Sequence, residues 1–277
     1  MNVLSIQSSV AYGHVGNSAA TFALQRLGVT AWPVHTVLFS NHTGYADWRG
    51  RVIPADEVAD VIAGIEDRGV FPECDAVLSG YVGDAALAEV IADTVRRIKA
   101  ANPRALYCCD PVLGNAARGL FAAEPVARAM RDQLLPLADI ATPNAFELAW
   151  LTGRPVTDAA TARAAADALG PSRVVCTSLP MESGLGVLAR DDHGAWLVET
   201  PRLDVAANGA GDTFAAILLA RLLHGDALET ATEHATSAVL AVLEATRAAG
   251  ARELHLIEAQ SEIATPTRRF RARRLTP

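Results

Sequence analysis

Short hydrophobic runs alternate along the chain with longer segments in which apolar residues recur every three to four positions. The runs predict buried strands, and the periodic segments predict helices. The predicted strands are 3–7, 31–40, 75–80, 105–110, 173–178, 186–190 and 195–200. The predicted helices are 17–28, 55–69, 86–102, 124–134, 145–152, 159–169, 212–223 and 226–248.

This strand–helix alternation favours an α/β fold, a three-layer α/β/α sandwich around a mostly parallel sheet. The segments 186–190 and 195–200 flank DDHG, so they predict an antiparallel hairpin near one edge. No linker rich in proline, glycine or serine divides the chain, which predicts one domain. Ligands of such sheets bind beyond the carboxyl ends of the strands, so functional residues are expected directly after strands.

Composition narrows the function. A net charge of −7 over 277 residues argues against a general nucleic-acid binder, and no apolar run is long enough to span a membrane. The N-terminus is typical of a first strand rather than a signal peptide, which predicts a cytoplasmic protein. Lys99 is the only lysine, so a P-loop is excluded. A pyridoxal-phosphate enzyme is disfavoured too, because it needs a lysine in its site and Lys99 lies late in a predicted surface helix.

Two polar clusters follow predicted strands in the first half of the chain. In QSSVAYGHVGN (7–17), Ser8 lies at a strand end where its hydroxyl can face a ligand; the alternative is a plain turn between strand and helix. In CDPVLG (109–114), Asp110 closes a strand and can hold Mg²⁺ directly or through water. The alternative is an aspartate that starts a turn before Pro111.

A third cluster, ADIATPNAFELAWLTG (138–153), leads from a short strand into a helix. Asn144 and Glu147 are three residues apart, so they lie on the same face of its first turn. They can form a capping box, with Asn144 as the N-cap. A capped helix can still present Glu147 to metal-bound water, so the two interpretations are compatible.

The fourth cluster, ANGAGDTFAAILLARLL (207–223), sets two glycines and an aspartate before a long apolar helix. Gly209 and Gly211 leave backbone N–H groups unshielded at a helix N-terminus, where anions bind. Asp212 adds a carboxylate that can accept a proton. This motif alone is a weak signal. Together, the four clusters offer an anion pocket, carboxylates for Mg²⁺ and a base, which are the parts that phosphoryl transfer needs.

Seven stretches also occur in the order typical of one family: LSIQSSVAYGHVGN, FSNHTGYADW, LSGYVG, CDPVLG, ADIATPNAFELAWLTGR, VVCTS and NGAGDTFAAILLA. On these motifs the chain resembles the pyridoxal kinases of the ribokinase-like superfamily. The match runs from Met1 to about Leu256. It implies a kinase domain over residues 1–257, followed by a C-terminal helix and basic tail over 258–277. It also implies transfer of the ATP γ-phosphoryl group to the 5′-hydroxyl of pyridoxal, pyridoxine or pyridoxamine.

The resemblance assigns roles to individual residues. It implies Asp212 as the base, with Asp110 and Glu147 around Mg²⁺. It implies a site for ATP phosphates at Gly209, Ala210, Gly211, Thr142, Asn144, Thr177 and Ser178. It implies a site for the vitamin ring at Ser8, Val15, Phe39, Thr43 and Tyr81. A bound monovalent cation, K⁺, and a homodimer are further family traits.

The lid loop GNAARGLFAAE departs from some relatives. Some bacterial members carry a cysteine that captures the aldehyde where this chain has Leu120, so a thiohemiacetal at that position is excluded. Phe121 replaces a tyrosine, so a hydroxyl contact from the lid is lost. Arg118 either helps to bind phosphate or is a solvated loop arginine. Two other functions stay open at this point: a hydroxymethylpyrimidine kinase, and a non-catalytic protein that binds vitamin B6 or a nucleotide.

Overall fold

The computed structural model describes residues 1–205 and 207–276. Its strands are β1 Asn2–Tyr12, β2 Thr30–Asn41, β3 Gly50–Val52, β4 Ala76–Ser79, β5 Leu106–Cys109, β6 Gly114–Asn115, β7 Gly119–Leu120, β8 Ile140–Ala141, β9 Arg173–Met181, β10 Gly184–Asp191, β11 Gly194–Thr200 and β12 Ala272–Arg274. Its α-helices are α1 Asn17–Arg26, α2 Ala55–Glu66, α3 Ala86–Ala101, α4 Glu124–Ala129, α5 Ala145–Thr152, α6 Ala159–Leu169, α7 Ala210–Leu223, α8 Leu228–Ala248 and α9 Gln260–Ala264.

One large sheet organises the molecule, in the order β12-β11-β10-β9-β8-β5-β4-β1-β2-β3. The six strands from β9 to β2 in that order are parallel to one another. The strands β10 and β11 form the expected antiparallel hairpin, and β3 pairs antiparallel with β2 at the other edge. The predicted α/β sandwich with a mostly parallel sheet is therefore confirmed.

Hydrophobic side chains fill both sides of this sheet. Helices α1, α7 and α8 cover one face, where Leu24, Phe214 and Ile217 are buried. Helices α2, α3 and α4 cover the other, around Ile91 and Tyr107. Because both faces are covered, the central strands β4, β5 and β8 are mainly apolar, as in other parallel sheets. The alternation of strands and helices along the sequence therefore corresponds to helices that pack on both faces of the sheet.

Some element boundaries differ from the sequence prediction. The segment 124–134 was expected to be one helix, but α4 ends at Ala129 and the chain continues as a π-helical turn, Met130–Leu134. Leu135–Leu137 then forms a 3₁₀ turn that contains Pro136, whose ring cannot continue an α-helix. Pro33 lies inside β2, and is tolerated there because β3 pairs only with residues 37–39 of β2.

The C-terminal residues join the sheet, a role that the sequence did not indicate. Strand β12 pairs antiparallel with β11 at the outer edge. Two of its neighbouring arginines contact carboxylates: Arg271 reaches Glu233 and Arg273 reaches Glu199. The last residue of the predicted tail, Pro277, lies outside the described residues. Within the described residues, no helix is long and apolar enough to cross a membrane.

Candidate active site

A cavity of about 460 Å³ opens at the carboxyl ends of the parallel strands. It is lined by the loops that follow β1, β4, β5 and β8, by Thr177 and Ser178 within β9, and by the start of α7. All the site residues predicted from the sequence line this cavity. The individual role of each residue stays a prediction. The residues are Ser8, Val15, Phe39, Thr43, Tyr81, Asp110, Thr142, Asn144, Glu147, Thr177, Ser178, Gly209, Ala210, Gly211 and Asp212.

The loop after β1 is held close to the sheet by its glycine and asparagine. Gly16 has φ 53°, and a Cβ there would lie 2.3 Å from both the carbonyl oxygen and the hydroxyl of Ser8. The side-chain amide of Asn17 donates to three backbone carbonyls, with Val34 O nearest at 2.9 Å. Only glycine permits this approach, so Ser8 is kept buried at the cavity wall.

Asp110 follows β5 and is 4% exposed. Its Oδ1 accepts a hydrogen bond from Thr142 Oγ1 at 2.9 Å. No described residue donates to its Oδ2. Burial raises the pKa of Asp110 well above its ordinary value, and the negative charges of Asp212 and Glu147 add to the shift. The turn that follows is strained, since Val112 has φ 46°, a region that β-branched residues rarely adopt. The site thus holds a carboxylate whose charge has few partners.

Glu147 forms the capping box that the sequence suggested. Asn144 Oδ1 accepts from the Glu147 N–H at 3.0 Å, and Glu147 Oε2 accepts from the Asn144 N–H at 2.9 Å. Glu147 Oε1 also accepts from the N–H groups of Leu113 and Gly114, at 2.7 and 3.3 Å. Burial raises the pKa of Glu147 to about 7, although these N–H groups oppose the shift. Both carboxylate oxygens are engaged, so Glu147 anchors the turn after Asp110 to the start of α5.

The end of β9 is tied to the same helix start. The Thr177 N–H donates to Pro143 O at 2.9 Å, and Thr177 forms a parallel bridge with Asn144. The next residue, Ser178, has φ 55° and is exposed. Backbone strain of this kind clusters at binding and catalytic sites. The hydroxyl-bearing pair Thr177 and Ser178 therefore lies on the rim beside Asn144.

The glycine turn before α7 approaches the loop after β1 very closely. Gly209 has φ 92°, and a Cβ on it would lie 1.7 Å from His14 O. Gly211 differs, because a Cβ there would meet nothing within 4 Å. The turn therefore packs through Gly209 and leaves space at Gly211. Such space beside the N–H groups of a helix N-terminus suits an anion.

Asp212 lies in the first turn of α7 and lines the cavity. Burial raises its pKa, and the backbone N–H groups of Gly16 and of Asp212 itself oppose that shift. A carboxylate with a raised pKa is a better proton acceptor than an ordinary aspartate. The arrangement can therefore remove a proton from a hydroxyl placed beside it.

The lid segment is a small hairpin, β6 and β7, joined to the site at two points. Asn144 Nδ2 donates to Gly114 O at 2.8 Å, and Arg118 Nη2 donates to Thr43 O at 3.5 Å. Arg118 also lies over the ring of Phe121, with Cζ 5.3 Å from its centroid. Both Arg118 and Phe121 line the cavity. The lid thus spans the region between the two loops that carry Asn144 and Thr43.

One end of the cavity was missed by the sequence analysis. Thr236, Val239, Leu240 and Leu243 of α8 form an apolar wall there, facing the loop after β11. Their helical spacing is visible in the sequence, but the same spacing is typical of core positions. The opposing wall is formed by Leu185, Gly186, Val187, Thr200, Pro201, Leu203 and Val205. His42, Gly44 and Asn208, at the polar end, were missed as well.

Within the described residues, no group of three or more His, Cys, Asp and Glu side chains forms a preorganised metal cage. In proteins, Mg²⁺ keeps several waters and binds through one or two carboxylates together with substrate phosphates. Asp110 has an oxygen available for such a contact, whereas Glu147 can reach a metal only through water unless its N–H bonds break. The donor set therefore suits a metal that arrives with phosphate.

Comparison with known proteins identifies the family and the fold. Residues 16–256 match the family model described as phosphomethylpyrimidine kinase. The pyridoxal kinase PdxY of Rubrobacter xylanophilus is 52% identical, covering 99% of this chain and 98% of that protein. The pyridoxal kinase of Leishmania donovani in complex with ADP and pyridoxine superposes with a TM-score of 0.94 at 32% identity, over 99% of both chains. Its complex with ADP and pyridoxamine gives 0.93.

Proposed function

This chain belongs to the phosphomethylpyrimidine kinase family, and from that premise and the geometry of its site we infer that it is a pyridoxal kinase. It transfers the γ-phosphoryl group of ATP to the 5′-hydroxyl of pyridoxal, and pyridoxine and pyridoxamine are further substrates. The observation that carries this conclusion is Asp212, at the head of α7, in one cavity with an open glycine turn and Asp110. Relatives about half identical over their whole length carry the same activity in their names.

Asp212 is the proposed general base. The 5′-hydroxyl oxygen attacks the γ-phosphorus, the bond to the oxygen that bridges to the β-phosphate breaks, and Asp212 takes the hydroxyl proton. The N–H groups of Gly209, Ala210 and Gly211 donate to the charge that develops on the transferred group. The raised pKa of Asp212 supports this role, since it makes the carboxylate a stronger proton acceptor.

We assign the two ends of the cavity to the two substrates. The vitamin ring lies at the end formed by Ser8, Val15, Phe39, Thr43 and Tyr81, and the adenine lies against the apolar wall of α8. The phosphates between them lie near Thr142, Asn144, Thr177 and Ser178. The distribution of apolar and polar walls supports this order, because a purine base gains most from the apolar end.

Asp110 and Glu147 would hold the divalent ion of this proposal, Mg²⁺. It would supply positive charge to the phosphates of ATP, in a chain whose only lysine is Lys99. Potassium is proposed on the family resemblance alone, and exchange of K⁺ for Na⁺ in the assay tests it.

A homodimer and a cytoplasmic location complete the proposal. The edge of the sheet at β2 and β3 exposes Leu38, Trp48 and Val52, each at least 38% accessible, which supports a subunit contact there. Light scattering on the purified protein tests the dimer. The cytoplasmic location rests on the use of ATP, and fractionation of cells expressing the protein tests it.

The function is tested by supplying Mg·ATP with pyridoxal, pyridoxine, pyridoxamine or hydroxymethylpyrimidine in parallel. ADP release and the mass of the product are measured for each alcohol. We expect monophosphates of the three B6 vitamers and a higher kcat/KM for pyridoxal than for the pyrimidine. A preference for the pyrimidine would assign the chain to the other activity of its family, and no ADP with any alcohol would contradict a kinase.

A further inference from the structure

Glu253 lies outside every motif of the sequence analysis, yet it contacts two loops of the vitamin end. It follows α8 in sequence and is 13% exposed. Its Oε1 accepts from Tyr45 Oη at 2.6 Å and from His42 Nε2 at 3.0 Å. Its Oε2 accepts from the His14 N–H at 3.3 Å. One carboxylate thus joins the loop after β1 to the loop after β2.

The loop after β1 is shaped to admit this carboxylate. Gly13 has φ 100°, and a Cβ there would lie 2.1 Å from Glu253 Oε2. Any side chain at that position would displace the carboxylate or the loop. The close approach of Gly13 and Glu253 is therefore a built contact between segments 240 residues apart in sequence.

His42 connects Glu253 to the cavity wall through hydrogen bonds. Its ring is 6% exposed, and its Nδ1 accepts from the Gly44 N–H at 3.1 Å. A ring nitrogen that accepts carries no proton, so the proton of this imidazole lies on Nε2 and is donated to Glu253. The result is a chain of hydrogen bonds from Glu253 through His42 to Gly44, which lines the cavity beside Thr43.

The residues on either side of Glu253 strengthen the same connection. Arg252 Nη2 donates to Gly44 O at 2.6 Å, and its Cζ lies 3.7 Å from the centre of the Tyr45 ring. Leu254 is buried, and its Cδ1 lies 3.2 Å from the Cβ position of Gly209. Residues 252–254, here termed the strap, therefore contact both the loop that carries Thr43 and the glycine turn before Asp212.

We propose that Glu253 is a positioning residue that fixes Thr43 and Gly44, through His42 and Tyr45, in the geometry that binds the vitamin. It does not touch the substrate; it sets where the loop of residues 42–45 stands relative to Asp212. This inference rests on the proposed function, because it assigns that loop to the vitamin. It predicts a selective effect: the vitamin end loses affinity while the nucleotide end keeps it.

The test is steady-state kinetics of Glu253→Ala, with pyridoxal and ATP varied separately. Removing an acceptor shared by three buried or half-buried donors is expected to raise KM for pyridoxal about 10- to 100-fold, with KM for ATP within about 2-fold of wild type. Glu253→Gln keeps a carbonyl oxygen for Tyr45 and His42, so it is expected to recover most of the affinity. Glu258→Ala, five residues away at a more exposed carboxylate, is the matched control and is expected to leave both KM values unchanged.

Three outcomes overturn the inference while leaving the function intact: an unchanged KM for pyridoxal in Glu253→Ala, equal increases in both KM values, or no recovery in Glu253→Gln. If Glu253→Ala does not fold, Tyr45→Phe removes one hydrogen bond to Glu253 and His42→Ala removes the bonds to Glu253 and Gly44, and both variants must show the same selective rise. The double variant His42→Ala with Glu253→Ala is expected to have a KM for pyridoxal no higher than that of the more impaired single variant, since both substitutions break the same chain of hydrogen bonds. Failure of the wild-type protein to phosphorylate pyridoxal would instead contradict the proposed function.

Discussion

The two ends of the cavity are built in different ways. The vitamin end is formed by β1, β2 and the loops that follow them, and hydrogen bonds such as those of Asn17 and Glu253 hold its backbone in place. The apolar end is formed by side chains of α8, with Leu240 and Leu243 facing β10 and the loop after β11. Gly13 and Gly16 of the first end have positive φ and leave no space for a Cβ, whereas Gly186 in the wall of the second end has no positive φ and faces only side chains. The comparison suggests that the loops set the chemistry, while the helix and the hairpin supply affinity.

The largest expected effect is on kcat, and it concerns Asp212, which lies between the two ends of the cavity. Asp212→Asn removes the proposed base while keeping the size of the side chain, so kcat for pyridoxal is expected to fall by about 10²- to 10⁴-fold. ATP affinity, measured by titration calorimetry, is expected to stay near the wild-type value. Asp60→Asn, on the exposed face of α2, is the control and should be fully active. Near-normal turnover by Asp212→Asn would remove Asp212 from the mechanism.

The next effect concerns the space beside the glycine turn. Gly211→Ala places a methyl group where no protein atom lies within 4 Å, so the fold should tolerate it or gain stability. If phosphate occupies that space, kcat/KM for ATP falls by about 5- to 100-fold through overpacking. Gly64→Ala is matched, since it is also helical with nothing within 4 Å. Unchanged kinetics in Gly211→Ala would place the phosphates elsewhere.

A smaller effect is expected at the apolar end. Leu243→Ala removes apolar surface from the proposed adenine site and should raise KM for ATP about 5-fold, or about 1 kcal/mol. KM for pyridoxal should not change. Leu222→Ala removes the same side chain from the same hydrophobic cluster at a position that does not line the cavity. A rise in KM for pyridoxal instead of ATP would reverse the assignment of the two ends.

The smallest expected effect is on the free energy of unfolding. It concerns Asp110, a buried carboxylate of a kind that the apolar end lacks. The pKa of Asp110 is raised in the folded protein, so the folded state binds more protons than the unfolded chain above the unfolded pKa. Stability is therefore lost as pH rises through the folded pKa, and Asp110→Asn, which cannot ionise, avoids the loss.

Without metal or nucleotide, Asp110→Asn should melt about 2–4 °C above wild type at pH 8, for about 1 kcal/mol. The difference should shrink towards zero as the pH falls below about 4, where the unfolded carboxylate becomes protonated as well. Asp60→Asn should match wild type at both pH values. A lower melting temperature for Asp110→Asn at pH 8 would show that the Thr142 hydrogen bond outweighs the charge.

The same comparison explains what the sequence could reveal. The sheet and its helices follow from hydrophobic periodicity, and Asp110 and Asp212 follow from their places after a strand and before a helix. The kinase family is confirmed by the comparisons, whereas the roles of the single site residues stay predictions. The apolar wall of α8 was missed because Val239 and Leu243 have the spacing of core residues, and only the tertiary structure shows that they face a cavity.

Glu253 was missed for a different reason. Its partners are distant in sequence, and a lone glutamate after a helix carries no local signal. Strand β12 was not predicted because its sequence, ARR (272–274), has no strand pattern. Its pairing depends on the free edge of β11. The π-helical turn after α4 likewise has no signature in the sequence. Local patterns therefore identified the elements, but not the contacts that depend on how distant segments meet.

The central claim is that one continuous cavity holds both substrates, with Asp212 between them. The most direct test uses a bisubstrate compound in which adenosine and pyridoxal are joined through a polyphosphate chain. The account predicts competitive inhibition against both ATP and pyridoxal, with one molecule bound per chain and tighter binding than either substrate alone. Competition with only one substrate, or two molecules bound per chain, would contradict it.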